Sequence, residues 1–384
     1  MTFPTSTEAI LAKLVSFDTT SCDSNLPLIA WVERYLDSFD VPHLRVDHEA
    51  GKKTNLYATI GPDLAGGIVL SGHTDVVPVD GQAWTSDPFT MVERDGLLYG
   101  RGTADMKGYL AASLALVPHF KSLKLKVPIH LAFSCDEEVG CRGVRPLVEH
   151  LREHVKKPAA VIVGEPTLMR VVNGHKSAVR FQTDVTGHES HSALTDRGVN
   201  AIMVAGEVIS EINRLRAEFI AEGDPSGSYD PPYSTIHIGV ISGGTANNIV
   251  PRKCSFNWET RLLPGADESF VPRRMAALQK TLEPAMKAIS KDAGVLTEQS
   301  NTVPGLAVDS DSPAERLALQ CTHSNSTHTV SYCTEAGLFQ QAGIPAVVCG
   351  PGSIEQAHKP DEFIAISELR KCEVFLKRLA EKCC

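Results

Sequence analysis

The sequence lacks the features that mark exported and membrane-spanning proteins. The first ten residues, MTFPTSTEAI, contain neither a basic start nor an apolar segment, and no apolar run approaches the ~20 residues that cross a bilayer. The ten cysteines are dispersed without Cys-x-x-Cys spacing, and without an export signal they would not reach an oxidising compartment. We therefore expect a cytoplasmic protein without a membrane partner and without a disulfide framework.

A basic stripe and low-complexity tracts are also absent. Lysine and arginine are scattered and the formal net charge is -9, so the sequence does not have the electrostatic footprint of a nucleic-acid-binding protein. Hydrophobic residues make up 42% and charged residues 22%, which is ordinary for a folded enzyme. Because 384 residues exceed the size at which one core stops growing, we predict two domains.

Short apolar runs separated by helical patterns predict an α/β fold. Two amphipathic helices are indicated near the N-terminus, the first by a capping box from Thr5 to Glu8. Runs of this buried type alternate with helical stretches around 107–120 and 142–154, which indicates a mostly parallel sheet. The runs are Ile68–Leu70, Ile129–Phe133, Ala160–Val163 and Ala346–Cys349.

The middle of the chain has a different pattern. Alternating strand-like segments and two long helical stretches follow one another as β-α-β-β-α-β, which is a ferredoxin-like unit. Because the last α/β strand lies beyond this unit, residues 178–301 are predicted to be an insertion. The catalytic domain would then be discontinuous, formed by residues 1–177 and 302–384.

Acidic residues and histidines follow all four apolar runs. Ligands bind at the carboxyl ends of parallel strands, so these side chains are expected to meet at one edge of the sheet. Imidazoles and carboxylates are the donors that zinc accepts. The segments are Ser71–Asp75, Cys135–Glu138, Gly164–Pro166 and Gly350–His358.

Three further features fit a two-metal site. Asp105 follows a glycine-rich turn, where it could bridge two ions about 3.5–4 Å apart. Asp75 lies two residues from His73 and could accept its imidazole proton. Glu137 and Glu138 are neighbours that point in different directions, so that one can bind metal while the other addresses water.

At these residues the chain resembles the dinuclear zinc amidohydrolases that include acetylornithine deacetylases, succinyl-diaminopimelate desuccinylases, aminoacylases and glutamate carboxypeptidases. The similar segments are 71–78 (SGHTDVVP), 100–108 (GRGTADMKG), 136–138 (DEE), 164–167 (GEPT), 187–192 (GHESHS), 247–251 (NNIVP) and 259–261 (ETR). The resemblance extends over nearly the whole chain.

The resemblance implies specific roles for these residues. One metal ion would be held by His73, Asp105 and Glu165, and the other by Asp105, Glu138 and His358. Glu137 would be the general base, and the peptide bond after Asp105 would be cis. The inserted domain would form a homodimer in which His191 stabilises the oxyanion in the partner's active site, while Arg261 and Asn248 bind the substrate carboxylate.

Segments 76–81, 332–336 and 350–362 favour the acetylornithine deacetylases within this family. The implied reaction is hydrolysis of N2-acetyl-L-ornithine in arginine biosynthesis, with Glu335 as the partner of the cationic side chain. A succinyl-diaminopimelate desuccinylase, an aminoacylase or a glutamate-carboxypeptidase-like hydrolase of another N-acyl amino acid is the alternative. The cofactor would be two divalent ions, zinc in the first instance, with cobalt or manganese as alternatives.

Two other hypotheses compete with a metal-dependent hydrolase. A non-catalytic binding protein could retain the metal ligands, but it would not need the base Glu137. A cysteine hydrolase could use Cys135 or Cys141 with a histidine, and it would be insensitive to chelators.

Overall fold

The computed structural model describes residues 3–48 and 51–384. The chain forms two compact units. The first unit comprises Met1–Gly174, Leu306–Thr329 and Thr334–Cys384, and the second comprises His175–Gly305 and Val330–Cys333. Along the chain, both segments of the second unit lie between segments of the first.

The helices and strands of the described residues alternate in the first unit and have the ferredoxin-like order in the second. The α-helices are α1 (Thr7–Val15), α2 (Leu26–Asp37), α3 (Gly108–Ala115), α4 (Val117–Ser122), α5 (Val144–His154), α6 (Ala201–Glu222), α7 (Phe270–Ile289), α8 (Pro313–Thr322), α9 (Ala336–Gln341) and α10 (Ile366–Lys382). The strands are β1 (His43–His48), β2 (Lys53–Ile60), β3 (Ile68–His73), β4 (Val92–Arg94), β5 (Leu97–Tyr99), β6 (Ile129–Ser134), β7 (Ala160–Pro166), β8 (Val171–His175), β9 (Ala178–Thr186), β10 (Thr235–Gly243), β11 (Lys253–Arg261), β12 (Gly294–Val303), β13 (Thr327–Val330), β14 (Ala346–Gly350) and β15 (Phe363–Ala365).

The four apolar runs form the centre of an eight-stranded sheet with the order β1-β2-β6-β3-β7-β14-β8-β13. Strands β6, β3, β7 and β14 are parallel to one another, and every residue of these four strands is buried. The pairs β1–β2, β2–β6 and β14–β8 are antiparallel. The sheet is therefore mostly parallel at its centre, as predicted, with antiparallel flanks.

The helices of the first unit form a continuous core with the sheet. Helices α1 and α10 both pack against α3, whose residues from Gly108 to Leu114 are all buried. The N-terminal cap of α1 is Ser6, whose hydroxyl accepts a hydrogen bond from the amide of Ala9, so the predicted cap at Thr5 is displaced by one residue.

The second unit is the predicted β-α-β-β-α-β arrangement. Its antiparallel sheet has the order β10-β11-β9-β12. The first and last strands along the chain, β9 and β12, are therefore neighbours, as in a ferredoxin-like fold. Buried residues of α6 and α7 form a separate core with this sheet. Strand β10 is an edge strand.

All ten cysteines lie within the described residues, and none of them forms a disulfide there. Among the helices that the structure describes, none has both the length and the apolar character that a bilayer crossing requires.

Candidate metal centre

The carboxyl ends of the four parallel strands bring together the acids and histidines that follow them. His73 ends β3, Glu165 lies near the end of β7, and Glu137 and Glu138 follow β6. Two groups have ligand atoms that all lie within 4.8 Å of one another. They are His73, Glu137 and Glu165, and His73, Asp105 and Glu138.

Asp105 lies between two histidines. Its Oδ1 atom is 2.9 Å from Nε2 of His73, and its Oδ2 atom is 3.5 Å from Nε2 of His358. Nε2 of His73 is also 3.6 Å from Oε1 of Glu165, and Nε2 of His358 is 3.0 Å from Oε2 of Glu138. The two oxygens of one carboxylate thus face two different histidines.

The charges of the cluster are poorly compensated by protein groups alone. Burial raises the pKa of Glu165 and Glu138, and the negative charge of Asp105 raises both further. Burial would lower the pKa of His73, but Glu165 and a hydrogen bond to Asp105 raise it well above its ordinary value. Buried carboxylates with two imidazoles are a donor set that fits borderline divalent cations, whose charge would stabilise the ionised acids.

The turn that carries Asp105 has unusual backbone geometry. Gly102 has φ 82°, in the left-handed region that favours glycine, and the Asp105–Met106 peptide bond is cis, as the resemblance implies. The Glu362 carboxylate accepts hydrogen bonds from the amides of Gly102, Ala104 and Asp105. Sequence reasoning missed this role of Glu362, because a single acid four positions after His358 looks like a solvated one.

The role predicted for Asp75 needs a correction. Its main-chain carbonyl, 2.9 Å from Nδ1 of His73, accepts the imidazole proton, whereas its carboxylate is 3.8 Å from that atom. A carbonyl can only accept, so Nδ1 carries a proton, and Nε2 is the nitrogen that faces the ligand cluster. The Asp75 carboxylate instead accepts hydrogen bonds from the amides of Glu137 and Glu138, both at 3.2 Å.

Glu137 lies beside the ligand cluster. Its Oε1 atom accepts a hydrogen bond from the Cys141 thiol at 3.1 Å. Burial raises the pKa of Glu137 to about 8, with opposing effects from the charges of His73 and Glu138. A carboxylate whose pKa is near neutral is suited to both taking up and releasing a proton.

The assignment of Glu335 to the substrate side chain is corrected by the structure. Glu335 is 0% exposed, and its two carboxylate oxygens accept hydrogen bonds from the hydroxyls of Ser71 at 2.5 Å and Ser134 at 2.8 Å. A carboxylate without exposed surface cannot meet a substrate ammonium. Glu335 instead connects the ends of β3 and β6.

The other predicted substrate-binding residues belong to the second unit. His191 and Asn248 are exposed, and Nδ1 of His191 accepts a hydrogen bond from the amide of Ala193 at 3.1 Å. Arg261 is half-buried, and its Nε and Nη2 atoms are 3.0 and 3.4 Å from the two carboxylate oxygens of Glu259. His188, to which the sequence assigns no role, is exposed and forms an isolated bridge with Val199.

Comparison with known proteins gives a family and close-to-full-length relatives. Residues 69–382 match the model of peptidase family M20/M25/M40. The chain is 34% identical to an acetylornithine deacetylase of Myxococcus xanthus, over 98% of this chain and 97% of the relative. It is 32% identical to an acetylornithine deacetylase of Pasteurella multocida, over 96% and 94% of the two chains.

Two solved structures share the fold. An M20 family metallo-carboxypeptidase of Sulfolobus solfataricus superposes with a TM-score of 0.76 at 18% identity, over 98% of both chains. A dinuclear metal binding peptidase of the M20 family from Bacillus subtilis gives a TM-score of 0.64 at 17% identity, over 97% and 96% of the two chains. The chain therefore belongs to peptidase family M20/M25/M40 and, as the sequence predicted, is a metal-dependent amidohydrolase.

Proposed function

We propose that this chain hydrolyses N2-acetyl-L-ornithine to L-ornithine and acetate. The observation that carries the proposal is the end-to-end similarity to several bacterial acetylornithine deacetylases. A role in arginine biosynthesis and a cytoplasmic location follow from this substrate and stay predictions.

The proposed metal ligands are His73, Asp105 and Glu165 for one divalent ion, and Asp105, Glu138 and His358 for the other. Their support is the separation of the two Asp105 oxygens between the two histidines. Zinc is the proposed ion, and cobalt or manganese could occupy the same donors. Bound ions would polarise the amide carbonyl and make the attacking water more acidic.

Glu137 is the proposed general base. Its carboxylate would accept the proton of the attacking water and then deliver this proton to the departing amine. The proposal is supported by the place of Glu137 beside His73 and Glu165 and by its raised pKa of about 8. Near neutral pH, a carboxyl group with this pKa can both accept and release a proton, as the two steps require.

We propose that His191 stabilises the oxyanion in the active site of a second copy of the chain, and that Arg261 and Asn248 bind the α-carboxylate of the substrate. The exposed side chain of His191 is compatible with this role. The guanidinium of Arg261 already presents two nitrogens to a carboxylate, that of Glu259, and a planar fork of this kind suits a substrate carboxylate.

The proposed dimer would form through the inserted residues 178–301, which we propose as the dimerisation domain. Val240 and Ile241 on the edge strand β10 are 62% and 52% exposed. Exposed apolar residues on an unpaired strand edge are typical of surfaces that pair with another chain.

A substrate panel tests the proposed function. Metal-stripped enzyme is assayed with zinc, cobalt or manganese against N2-acetyl-L-ornithine, N-succinyl-diaminopimelate, and neutral and acidic N-acetyl amino acids. The proposal requires the highest kcat/KM with acetylornithine and no turnover without an added ion. Preference for the succinylated substrate would assign the chain to the desuccinylases, and preference for neutral or acidic acyl amino acids would assign it to the aminoacylases or glutamate carboxypeptidases.

The role of Glu137 is tested with Glu137→Gln. We expect turnover to fall by about 10²–10⁴-fold, the usual share of general acid–base catalysis, while the metal content stays at the wild-type value. Glu211→Gln is the matched control, because Glu211 is a nearly buried acid of the second unit that is paired with Arg214 and Arg274. Retained activity in Glu137→Gln would refute the assignment.

A further inference from the structure

We propose that Glu362 is a positioning residue. It fixes the positions of Asp105 and His358 relative to each other and thereby sets the affinity for the metal ion that both would ligate. This inference rests on the proposed metal ligands. It concerns a residue that touches neither the ion nor the substrate and acts through the two segments that carry the ligands.

The Glu362 carboxylate is 1% exposed and accepts four hydrogen bonds. Its Oε1 atom is 2.9 Å from the amide of Ala104 and 3.1 Å from that of Asp105. Its Oε2 atom is 3.0 Å from the amide of Gly102 and 2.9 Å from Nη1 of Arg101. One carboxylate therefore accepts hydrogen bonds from three backbone amides of the turn that carries Asp105 and from a buried guanidinium.

A second connection leads from Arg101 to the segment of His358. Nη2 of Arg101 donates to Oε1 of Gln82, and Nε2 of Gln82 donates to the main-chain carbonyl of His358 at 3.0 Å. Nη1 of Arg101 also donates to the carbonyl of Lys359 at 3.3 Å. The amides of the Asp105 turn and the carbonyls of the His358 segment are thus joined through Glu362, Arg101 and Gln82.

The His358 side chain depends on this connection more than the other ligands do. It is 54% exposed and its backbone has φ 63°, in the left-handed region that a non-glycine residue rarely adopts. His73, by contrast, is 1% exposed on a central strand and is fixed by the sheet. Loss of the connection should therefore lower the affinity for the ion that His358 would bind more than the affinity for the ion that His73 and Glu165 would bind.

The discriminating substitution is Glu362→Gln. A glutamine has one acceptor oxygen, so it can retain the amides of Ala104 and Asp105, but its amino group would face the donors Gly102 and Arg101. In a titration of metal-stripped protein with Co²⁺, the step assigned to the His358 ion should shift to about 10–100-fold weaker affinity, with a smaller change in the other step. A parallel titration of His358→Ala identifies which step that is.

Two further measurements separate positioning from a general loss of stability. The visible spectrum of Glu362→Gln at saturating Co²⁺ should differ from that of the wild type, since a shifted Asp105 changes the ligand field, whereas a purely structural role would leave the spectrum unchanged. Glu373→Gln is the control, because Glu373 connects Thr7 and Arg370 in the same unit and should alter neither the titration nor the spectrum.

Gln82→Ala is the second variant in case Glu362→Gln does not fold. Gln82 is half-buried, and its removal takes away the hydrogen bonds to His358 and Arg101 and the one that its Oε1 atom accepts from Trp84, while those of Glu362 stay. The metal affinity of the same step should therefore fall by less than in Glu362→Gln. Two wild-type-like steps and an unchanged spectrum in the variants would overturn the inference. Uptake of fewer than two ions by the wild type would instead refute the proposed pair of ligand sets, whereas the substrate panel tests the proposed function.

Discussion

The Sγ atom of Cys141 lies 3.1 Å from Oε1 of Glu137. Cys141 is 1% exposed, and its amide also donates to the main-chain carbonyl of Glu137 at 2.8 Å. The thiol is therefore a donor to the proposed base. This arrangement, together with membership of the metallopeptidase family, leaves no support for the reading of Cys141 as the nucleophile of a cysteine hydrolase.

Removal of this donor should impair turnover. In Cys141→Ala we expect kcat to fall by about 10-fold, which corresponds to roughly 1.4 kcal/mol of transition-state stabilisation, because Glu137 loses the contact that orients Oε1. Cys141→Ser keeps a donor of similar size and should retain most of the activity. The measurement is kcat and the pH profile of kcat for both variants, and equal activity of the alanine and serine variants would exclude a role for the hydrogen bond.

Asp75 should matter for a different reason than the sequence suggests. Its carboxylate holds the amides of Glu137 and Glu138 and accepts the Ser21 hydroxyl at 2.7 Å. In Asp75→Asn one acceptor oxygen becomes a donor that faces these groups, so we expect a loss of about 10–100-fold in kcat or metal affinity. Ser21→Ala removes one donor only and serves as the milder control. Asp75→Asn with wild-type kcat and metal affinity would show that this contact is dispensable.

The metal-free protein should lose stability as the pH rises. The pKa of Glu137 is raised from 4.5 to about 8 by burial, and that of His358 from 6.5 to about 9 by its hydrogen bond to Glu138. Both raised values mean that the folded state holds the proton more tightly than the unfolded state. Their contribution to the free energy of unfolding is complete below the ordinary pKa of each group and is lost as the pH passes about 8 and about 9.

Bound cations should oppose this trend, because the proposed ligand His358 must release its proton to bind an ion, so the metal affinity rises with pH. The measurement is thermal unfolding of chelator-treated and zinc-loaded protein at about pH 6.5, 7.5 and 9, a range that includes the pKa values of Glu137 and His358. We expect the difference in Tm between the two forms to grow with pH. A difference that stays constant or shrinks would contradict the proton linkage.

The central sheet could be predicted from the sequence because burial on both faces leaves a continuous apolar run. The four runs, at β3, β6, β7 and β14, are the four adjacent parallel strands. The flanking strands β1 and β8 were not predicted, since β1 has the mixed sequence HLRVDH with intermediate and exposed positions, and β8 is a short segment within a loop-like sequence. Strand β1 lies at the edge of the sheet, and β8 is a buried strand of five residues between β14 and β13. Mixed or short strands of this kind resemble loops in a single sequence.

The residues of the candidate site also differ in whether the sequence can predict them. Residues such as His73 and Glu165 follow a recognisable buried strand, so the edge of the sheet at which they lie could be predicted. Glu362 and Cys141 could not, because their roles depend on the amides and oxygens that approach them from other parts of the chain. Glu335 shows the reverse error, in which a motif residue assigned to the substrate is buried between two serines.

The proposed dimer predicts that the two edges of the second sheet differ. Val240 on β10 and Leu296 on β12 are 62% and 50% exposed, and both lie on edge strands. Val240→Lys should dissociate the dimer, because a lysine on a pairing edge opposes strand association, whereas Leu296→Lys should leave it intact. Sedimentation velocity over a range of protein concentrations measures both. A wild-type monomer, or equal effects of the two substitutions, would reject β10 as the interface.

Two glycines allow a test of the packing around the metal-binding strands. A Cβ atom on Gly164, in β7 next to Glu165, would lie 2.0 Å from Cγ of the buried Tyr109 ring, whereas a Cβ on Gly206, on the exposed side of α6, would meet nothing within 4 Å. Gly164→Ala should therefore lower the free energy of unfolding by about 1–3 kcal/mol or more, since the ring has no space to move. Gly206→Ala should raise it by about 0.5–1 kcal/mol, because alanine loses less backbone entropy in a helix. Denaturant unfolding of both variants decides the matter: if Gly164→Ala were as stable as the wild type, the close contact between β7 and Tyr109 that positions Glu165 would not exist.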